Sequence, residues 1–203
     1  VTNPPIDPFR EKVVMSLQCP VGPEANILDP SAKQVHRLWL KNPIISIADL
    51  EVIKLTSHRG WRTFVVDITF PTSEGPCGLA KKLDVICKDA ENASREYQIL
   101  ILSDRKAGAD RIPISSLLAL GAIHHHLIEA RTRSKVALFI ESADAREVHH
   151  MCVLLGYGAD AICPYLALEL ASSLRESGIL ESRCTDEAIF ENYSTAISTG
   201  ISK

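Results

Sequence analysis

The fold is decided by residues 136–169, which run VALFIESADAREVHHMCVLLGYGADAICPYLALE. The apolar run Val136–Ile140 predicts a strand, and apolar residues within 143–155 recur at the spacing of a helix. Gly156-Tyr157-Gly158 is expected to end that helix, because glycine adopts the left-handed cap conformation without strain. A second strand is predicted over 159–163. Two strands joined by one helix form a right-handed parallel crossover, so this stretch indicates an α/β fold.

The same alternation extends towards the N-terminus. Apolar or β-branched runs predict strands over 63–70 and 98–102, and helical periodicity predicts helices over 79–95 and 115–131. Strands that alternate with helices indicate a parallel sheet covered on both faces. Four such units make either half of a closed barrel or a small open sheet, and periodicity does not choose between the two.

The two ends of the chain differ from this pattern. Six prolines within residues 1–30 prevent long regular elements, so this segment is expected to be an irregular strap lying over another surface. Residues 31–203 are expected to form one domain. It would begin with helices over 32–40 and 47–56, the second capped by Ser46, and end with a helix around 186–196.

Composition excludes several classes of function. The chain has 203 residues with a net charge of -3, so no basic excess points to nucleic acid. No apolar run approaches the roughly 20 residues of a membrane span. The chain begins with Val1 and carries no signal-peptide pattern, so we expect it to be part of a longer polypeptide.

The cysteines are expected to be reduced. None of the six has the spacing of a CxxC zinc motif. Cys87 and Cys152 fall on apolar faces of predicted helices and Cys163 ends a strand, which is typical of buried thiols. This usage favours a reducing compartment, either the cytoplasm or an organelle matrix.

Polar side chains follow two of the predicted strands. Asp104 and Arg105 come directly after the strand over 98–102, while Glu141 and Arg146 follow the strand over 136–140. Ligand sites of α/β folds lie at the carboxyl ends of strands. These residues therefore form either a functional site or an ion-pair network, and Glu147 and Arg111 are further candidates for such a network. No GxGxxG, GxxxxGK[ST] or GxSxG motif accompanies them.

Histidines offer a different hypothesis. His124–His126 and His149–His150 are consecutive, and consecutive helical residues point about 100° apart, so one run cannot converge on a metal. One histidine from each helix could still meet in space. The alternative function is therefore an autonomous small α/β metal-binding enzyme, although one buried and one exposed ring in each pair is the simpler expectation.

Five stretches resemble a known family. They are VTNPPIDPFREKVVMSL (1–17), RGWRTFVVDITF (59–70), ILILSDR (99–105), IPISSLLALGAIHHHL (112–127) and ESADAREVHHMCVLLGYGADAICPYLALE (141–169). Together they are similar to the central domain of glutamate synthase, which lies between its glutaminase and synthase domains. VGPEANIL (21–28) resembles the eukaryotic NADH-dependent type.

The resemblance implies both a fold and a function. The central domain of that family is a degenerate, incomplete TIM-like barrel. The whole enzyme, an oxidoreductase of glutamate biosynthesis and ammonia assimilation, makes glutamate from glutamine and 2-oxoglutarate. Ammonia released in the glutaminase domain travels through a tunnel to FMN in the synthase domain, with an iron–sulfur cluster and NAD(P)H supplying electrons. The central domain itself holds no cofactor.

The resemblance also implies the role of the polar residues. Catalytic, cofactor-binding and metal-binding residues are not expected in this chain, and the isolated chain is expected to be inactive. Its partners would be the glutaminase and FMN-binding synthase domains of the same polypeptide, with no nucleic acid and no membrane. The candidate interface or tunnel-side residues are Asp104, Arg105, Glu141, Arg146 and His149.

Overall fold

The computed structural model describes residues 13–181 and 183–203, which contain eight strands and six α-helices. The strands are β1 (Cys19–Val21), β2 (Leu38–Leu40), β3 (Thr63–Asp67), β4 (Thr69–Pro71), β5 (Ile99–Ser103), β6 (Arg111–Pro113), β7 (Ala137–Glu141) and β8 (Ala161–Cys163). The helices are α1 (Ile47–Lys54), α2 (Gly75–Ala93), α3 (Ser116–Glu129), α4 (Val148–Gly156), α5 (Tyr165–Glu176) and α6 (Asp186–Ile201).

A four-stranded parallel sheet forms the centre, in the order β3-β5-β7-β8. The predicted α/β class is therefore confirmed. The strand order follows the chain order, as right-handed β/α units require. The barrel implied by the resemblance is not confirmed, since β3 is an edge strand and Pro43–Ile45 runs along β8. There the Ile45 amide donates to the Ile162 carbonyl at 3.0 Å, and the Ile162 amide donates to the Pro43 carbonyl at 2.7 Å.

The two faces of the sheet are covered differently. One row of inward side chains, such as Leu102 and Ile140, packs against α2, α3, α4 and α6. The alternate row, such as Ile101 and Phe139, packs against the N-terminal part of the chain, including Leu50 and Trp61. Both rows are buried, which explains why these strands are continuous apolar runs.

Two predicted elements of the N-terminal half are wrong. The strand predicted over 63–70 divides at Ile68, because the Asp67 carboxylate accepts bonds from both the amide and the hydroxyl of Thr69 and turns the chain. β4 then pairs with β6 in a separate antiparallel sheet. The helix predicted over 32–40 is a 3-10 turn over Ala32–Val35 followed by β2, because pairing with β1 replaces helical bonds.

The helix predicted over 143–155 begins only at Val148. The amide of Ala143 donates to Asp104 Oδ2 at 2.8 Å, and the amide of Asp144 donates to Ser142 Oγ at 3.1 Å. Side chains therefore take the amide groups that a helix would use, and they hold this segment as a loop. The loop is consequently fixed to the carboxyl edge of the sheet.

Other predictions at the ends are confirmed. Ser46 caps α1, its hydroxyl oxygen accepting the Asp49 amide at 3.0 Å, and α6 covers the helix predicted around 186–196. Residues 1–12 of the predicted strap lie outside the described residues. Within the described residues, no helix has both the length and the apolar character needed to span a membrane.

Candidate functional site at the carboxyl edge of the sheet

The last residues of the four parallel strands form one polar row. Strand register places Asp67 beside Ser103, Ser103 beside Glu141, and Glu141 beside Cys163. The row immediately before it is entirely apolar, so polarity begins at the carboxyl edge. The sequence predicted polar groups at this edge, and the register brings together residues that lie nearly a hundred positions apart.

Glu141 is the centre of this row. Its carboxylate is buried and accepts hydrogen bonds from Ser103 Oγ at 2.6 Å and from Lys54 Nζ at 2.9 Å. Arg105 Nε lies 3.3 Å from Oε1 of the same carboxylate. Burying a charge is costly unless it is paired and hydrogen-bonded. Donors from the chain itself fulfil both conditions here.

Lys54 reaches the cluster from the last turn of α1. Burial alone would lower the pKa of Lys54, but its hydrogen bonds to Glu51 and Glu141 and their charges raise that pKa above its ordinary value. Lys54 is therefore a cation that links α1 to the sheet. Sequence reasoning missed Lys54, because a lysine in the last turn of a helix is also typical of an exposed residue that favours the helix dipole.

Asp104 is buried beside Glu141 but contacts a different group. Its Oδ2 accepts the Ala143 amide at 2.8 Å, whereas Oδ1 is buried without a hydrogen-bond partner among the described residues. Burial raises the pKa of Asp104, and the charges of Asp144 and Glu141 add to the rise. Asp104 therefore positions the loop after β7.

Arg105 ties this edge to α5. Its guanidinium carbon lies 4.0 Å from the ring centroid of Tyr165, and its Nη1 lies 2.6 Å from Glu169 Oε1. Burial and the charge of Asp104 raise the pKa of Tyr165, so its hydroxyl stays protonated. Sequence reasoning missed Tyr165 and Glu169, since only the fold places the start of α5 over this arginine.

Cys163 ends the polar row with an unreactive thiol. Burial, together with the charge of Glu141, raises its pKa to about 12, and only the thiolate is a good nucleophile or metal ligand. Cys163 is buried as predicted, and all six cysteines are free. Cys87 is half-buried, whereas the expectation for Cys152 is wrong, because its position on α4 is exposed.

Arg146 and His149 lie away from this cluster. Both are exposed, and the backbone carbonyl of Arg146 accepts the Tyr193 hydroxyl at 2.8 Å. His149 lines a cavity of about 230 Å³ beside Ser116 and Ser142. Of the predicted ion-pair network, only the Arg105–Glu141 pair is present, because Arg111 instead pairs with Asp67 Oδ2 at 3.0 Å.

The predicted histidine clusters do not converge. His124 Nδ1 accepts a hydrogen bond from Arg133 Nε at 3.1 Å, while His126 Nε2 bonds to Glu91 at 2.8 Å on another face of α3. His150 Nδ1 accepts the Arg146 amide at 3.2 Å. Residues 13–181 and 183–203 contain no group of three or more His, Cys, Asp or Glu side chains arranged to hold a metal ion. The metal-enzyme alternative is therefore not favoured.

The carboxyl edge thus holds a charge cluster saturated by its own chain, and comparison with known proteins agrees with the resemblance. Residues 1–203 match the model of the glutamate synthase central domain. The chain belongs to the glutamate synthase central domain family. The family predicted from the sequence motifs is confirmed.

Named relatives agree with this central-domain assignment. The chain is 46% identical over 206 residues to glutamate synthase [NADH] of Schizosaccharomyces pombe, and 46% identical over 212 residues to that of Saccharomyces cerevisiae. It is 35% identical over 218 residues to the ferredoxin-dependent glutamate synthase of Pyropia yezoensis. These matches cover 100% of the chain but 10%, 10% and 14% of the relatives, so this central domain spans about a tenth of their length.

Proposed function

We propose that this chain is the central connecting domain of a glutamate synthase, joining its glutaminase domain to its FMN-binding synthase domain. In that enzyme, ammonia from glutamine would pass beside this domain to form glutamate from 2-oxoglutarate. The observation that carries the proposal is the Glu141 cluster. Ligands of α/β folds bind at the carboxyl edge of the sheet. Here Lys54 and Arg105 pair with the buried Glu141 carboxylate at that edge, as expected of a domain that packs against neighbouring domains instead of binding a ligand.

Exposed apolar side chains support a connecting role. In the β1–β2 hairpin, Trp39 lies opposite Pro20 on the outward face and is 66% exposed. Ile27, Leu28 and Val35, between these strands, are more than 80% exposed. Large exposed apolar residues in one part of a chain are typical of a protein contact. We propose that residues 1–30 form the strap predicted from the sequence, anchored to the 31–203 domain by β1 and covered by neighbouring domains.

The strand order supports the proposed relation to a barrel. Four parallel strands in chain order, with α2, α3 and α4 on one face, match the arrangement of consecutive units in a (β/α)₈ barrel. The N-terminal segment covers the opposite face, which would be the interior of a closed barrel. On this proposal the domain is an incomplete barrel whose inner face is filled by its own strap and α1.

Cofactors of the proposed enzyme would be held outside this chain. Iron–sulfur clusters require several convergent cysteine thiolates, and the described residues contain no such group. Flavin and nicotinamide phosphates are commonly bound by glycine-rich turns, and GxGxxG is absent from the sequence. The described residues therefore offer no cysteine set for an iron–sulfur cluster, and the sequence offers no GxGxxG turn for the phosphates of FMN or NAD(P)H.

Coupling of the two half-reactions in the full-length enzyme tests the proposal. The tunnel-side candidates are Asp104, Arg105, Glu141, Arg146 and His149, of which Arg105 and Glu141 are the best-defined. We expect Arg105→Ala or Glu141→Gln to leave glutamine hydrolysis active while lowering glutamate formed from 2-oxoglutarate per glutamine consumed, because the loops that border the ammonia path lose their anchor.

The matched control is Arg62→Ala, which removes an exposed arginine that lies just before β3, at the opposite end of the strands from Glu141, and pairs with Glu96 at 3.5 Å. This variant should keep the ratio of the enzyme without substitutions. Unchanged ratios in both Arg105→Ala and Glu141→Gln would contradict a role of this edge in coupling.

A further inference from the structure

A groove runs between three helices on the side of the domain where α5 follows the sheet. It lies between the start of α1, the second half of α5 and the start of α6, and its volume is about 950 Å³. Leu168 and Ile189 form a buried floor, and Phe190 is half-buried beside them. The groove therefore has an apolar floor and is large enough to receive side chains of another segment.

The rim of this groove has one sign of charge. Six of its fourteen lining residues are acidic and none is Lys, Arg or His. The acidic residues are Asp49, Glu169, Glu176, Asp186, Glu187 and Glu191. Such a concentration is not expected from overall composition, because the chain carries 22 basic against 25 acidic residues.

Local structure explains only part of this charge. Asp49, Asp186 and Glu187 lie in the first turns of α1 and α6, where acidic groups favour the helix dipole. Asp186 pairs with Arg175 at 2.7 Å, and Glu169 pairs with Arg105. These residues therefore stabilise the domain itself.

Glu176 and Glu191 have no comparable local role. Glu176 is the last residue of α5, where a negative charge opposes the helix dipole. Neither side chain has an ion pair among the described residues, and both are exposed on the rim. Both carboxylates are therefore available to pair with basic side chains of a partner, which would make this rim electrostatically complementary to a basic segment.

We infer that this groove docks a segment of the same polypeptide that carries Lys or Arg residues on either side of an apolar anchor. This inference rests on the proposed function, because the segment would belong to a neighbouring domain of the synthase. The relatives are about ten times as long as this chain, so most of their sequence is available to supply such a segment. The anchor would cover Leu168 and Ile189, and the basic residues would pair with Glu176 and Glu191.

Carbodiimide cross-linking of the full-length enzyme, followed by mass spectrometry, tests the inference. The reagent joins carboxylates to lysines in direct contact. We expect cross-links from Glu176 or Glu191 to a lysine outside these 203 residues. The Glu176→Lys, Glu191→Lys variant has no carboxylate to couple at these positions, so its docking is followed by hydrogen-exchange protection of α5 and α6 instead, which should fall about tenfold because like charges then face each other. Reversing the partner lysine to Glu in that variant should restore docking, measured as hydrogen-exchange protection of α5 and α6.

The matched control is Glu129→Lys, which reverses an exposed glutamate at the end of α3, outside the groove. It should leave the groove cross-links unchanged. Cross-links that join the groove to a second copy of the enzyme, or unchanged hydrogen-exchange protection of α5 and α6 in the Glu176→Lys, Glu191→Lys variant, would overturn the inference. The ratio of glutamate formed to glutamine consumed, measured on the same sample, reports the connecting role independently, so the groove inference can fail while the proposed function stands.

Discussion

The two edges of the central sheet are both closed by arginines, but in different ways. At the carboxyl edge, Arg105 and Lys54 share the buried carboxylate of Glu141. The amino edge is the opposite end of the sheet, where the parallel strands begin. There Arg133 donates hydrogen bonds to the backbone carbonyls of Val136 and Gly158. It also donates to Asp160 Oδ2 at 3.1 Å and to His124 Nδ1. The first cluster consists of opposite charges, whereas the second depends largely on neutral acceptors.

The two edges therefore depend on different kinds of residue. The carboxyl edge needs long cationic side chains that reach a buried charge from α1 and from the loop after β5. The amino edge needs backbone groups and one uncharged imidazole at close range, with Asp160 Oδ2 also accepting the Leu138 amide at 2.7 Å. The carboxyl edge should therefore be sensitive to loss of charge, and the amino edge to small changes of shape or of pH.

Loss of one cation from the carboxyl edge should have the largest effect. Lys54→Met removes one of the two cations at Glu141 and leaves a buried carboxylate only partly paired. We expect the free energy of unfolding to fall by about 3 kcal/mol, measured by urea denaturation. Lys88→Met on the exposed face of α2 is the control and should change stability by less than about 0.5 kcal/mol.

A second substitution separates charge from packing at the same edge. Adding Glu141→Leu to Lys54→Met removes the buried carboxylate, and apolar replacements of buried ion pairs are often neutral. We expect the double variant to recover most of the lost stability. If the double variant loses as much unfolding free energy as the two single variants lose together, Glu141 acts through Ser103 and Arg105 rather than through Lys54.

Prediction from the sequence succeeded where the signal was local and failed where it was not. The apolar run from Ile99 to Leu102 predicted a buried strand, and Ser46 followed by Asp49 predicted a helix start, because each feature acts within a few residues. The break at Ile68 depends on Asp67 turning back to Thr69, a contact that β-branched periodicity does not reveal. The strand β2 depends on pairing with β1, nearly twenty residues away.

The candidate site shows the same limit. Asp104, Arg105 and Glu141 were predicted because they directly follow strands, and strand register does bring them together. Arg146 was predicted on the same grounds, but the loop held by Asp104 carries it to the surface. Lys54 and Tyr165 were missed, because only tertiary packing of α1 and α5 places them at this edge.

Side chains pack so closely at the amino edge that one added methyl group should disturb them. Gly158 has a φ of 106°, and a Cβ at this position would overlap the His124 ring that accepts from Arg133. We expect Gly158→Ala to lower the free energy of unfolding by about 2 kcal/mol, through backbone strain and loss of this hydrogen bond.

Gly156 is the matched control for Gly158, two residues earlier in the same Gly-Tyr-Gly turn. It ends α4, and a Cβ there would meet no atom within 4 Å. Gly156→Ala should therefore leave stability unchanged or raise it by about 0.5 kcal/mol, since alanine has the higher helix propensity. Thermal unfolding of both variants in parallel checks the contrast, and equal losses would show that the turn, rather than the His124 contact, requires glycine.

The smallest expected effect is a pH dependence at the amino edge that comes from His124. Burial, the charge of Arg133 and the neighbouring His125 hold the pKa of His124 below its ordinary value. The unfolded chain therefore binds a proton at this residue more readily than the folded protein does. The stability from neutral His124 is fully present above its unfolded pKa of about 6.5 and is lost as the pH falls towards the folded pKa.

Substitution of His124 isolates this contribution from the other titrating groups. Wild type should lose more unfolding free energy between about pH 7.5 and about pH 5.5 than His124→Gln, whose amide oxygen can still accept from Arg133 without titrating. His125→Gln, beside it on the exposed side of α3, should follow the wild-type profile more closely. Identical profiles for wild type and His124→Gln would mean that Arg133 closes the amino edge through Asp160 and the two carbonyls alone. The two edges would then differ only in how deeply their charges are buried.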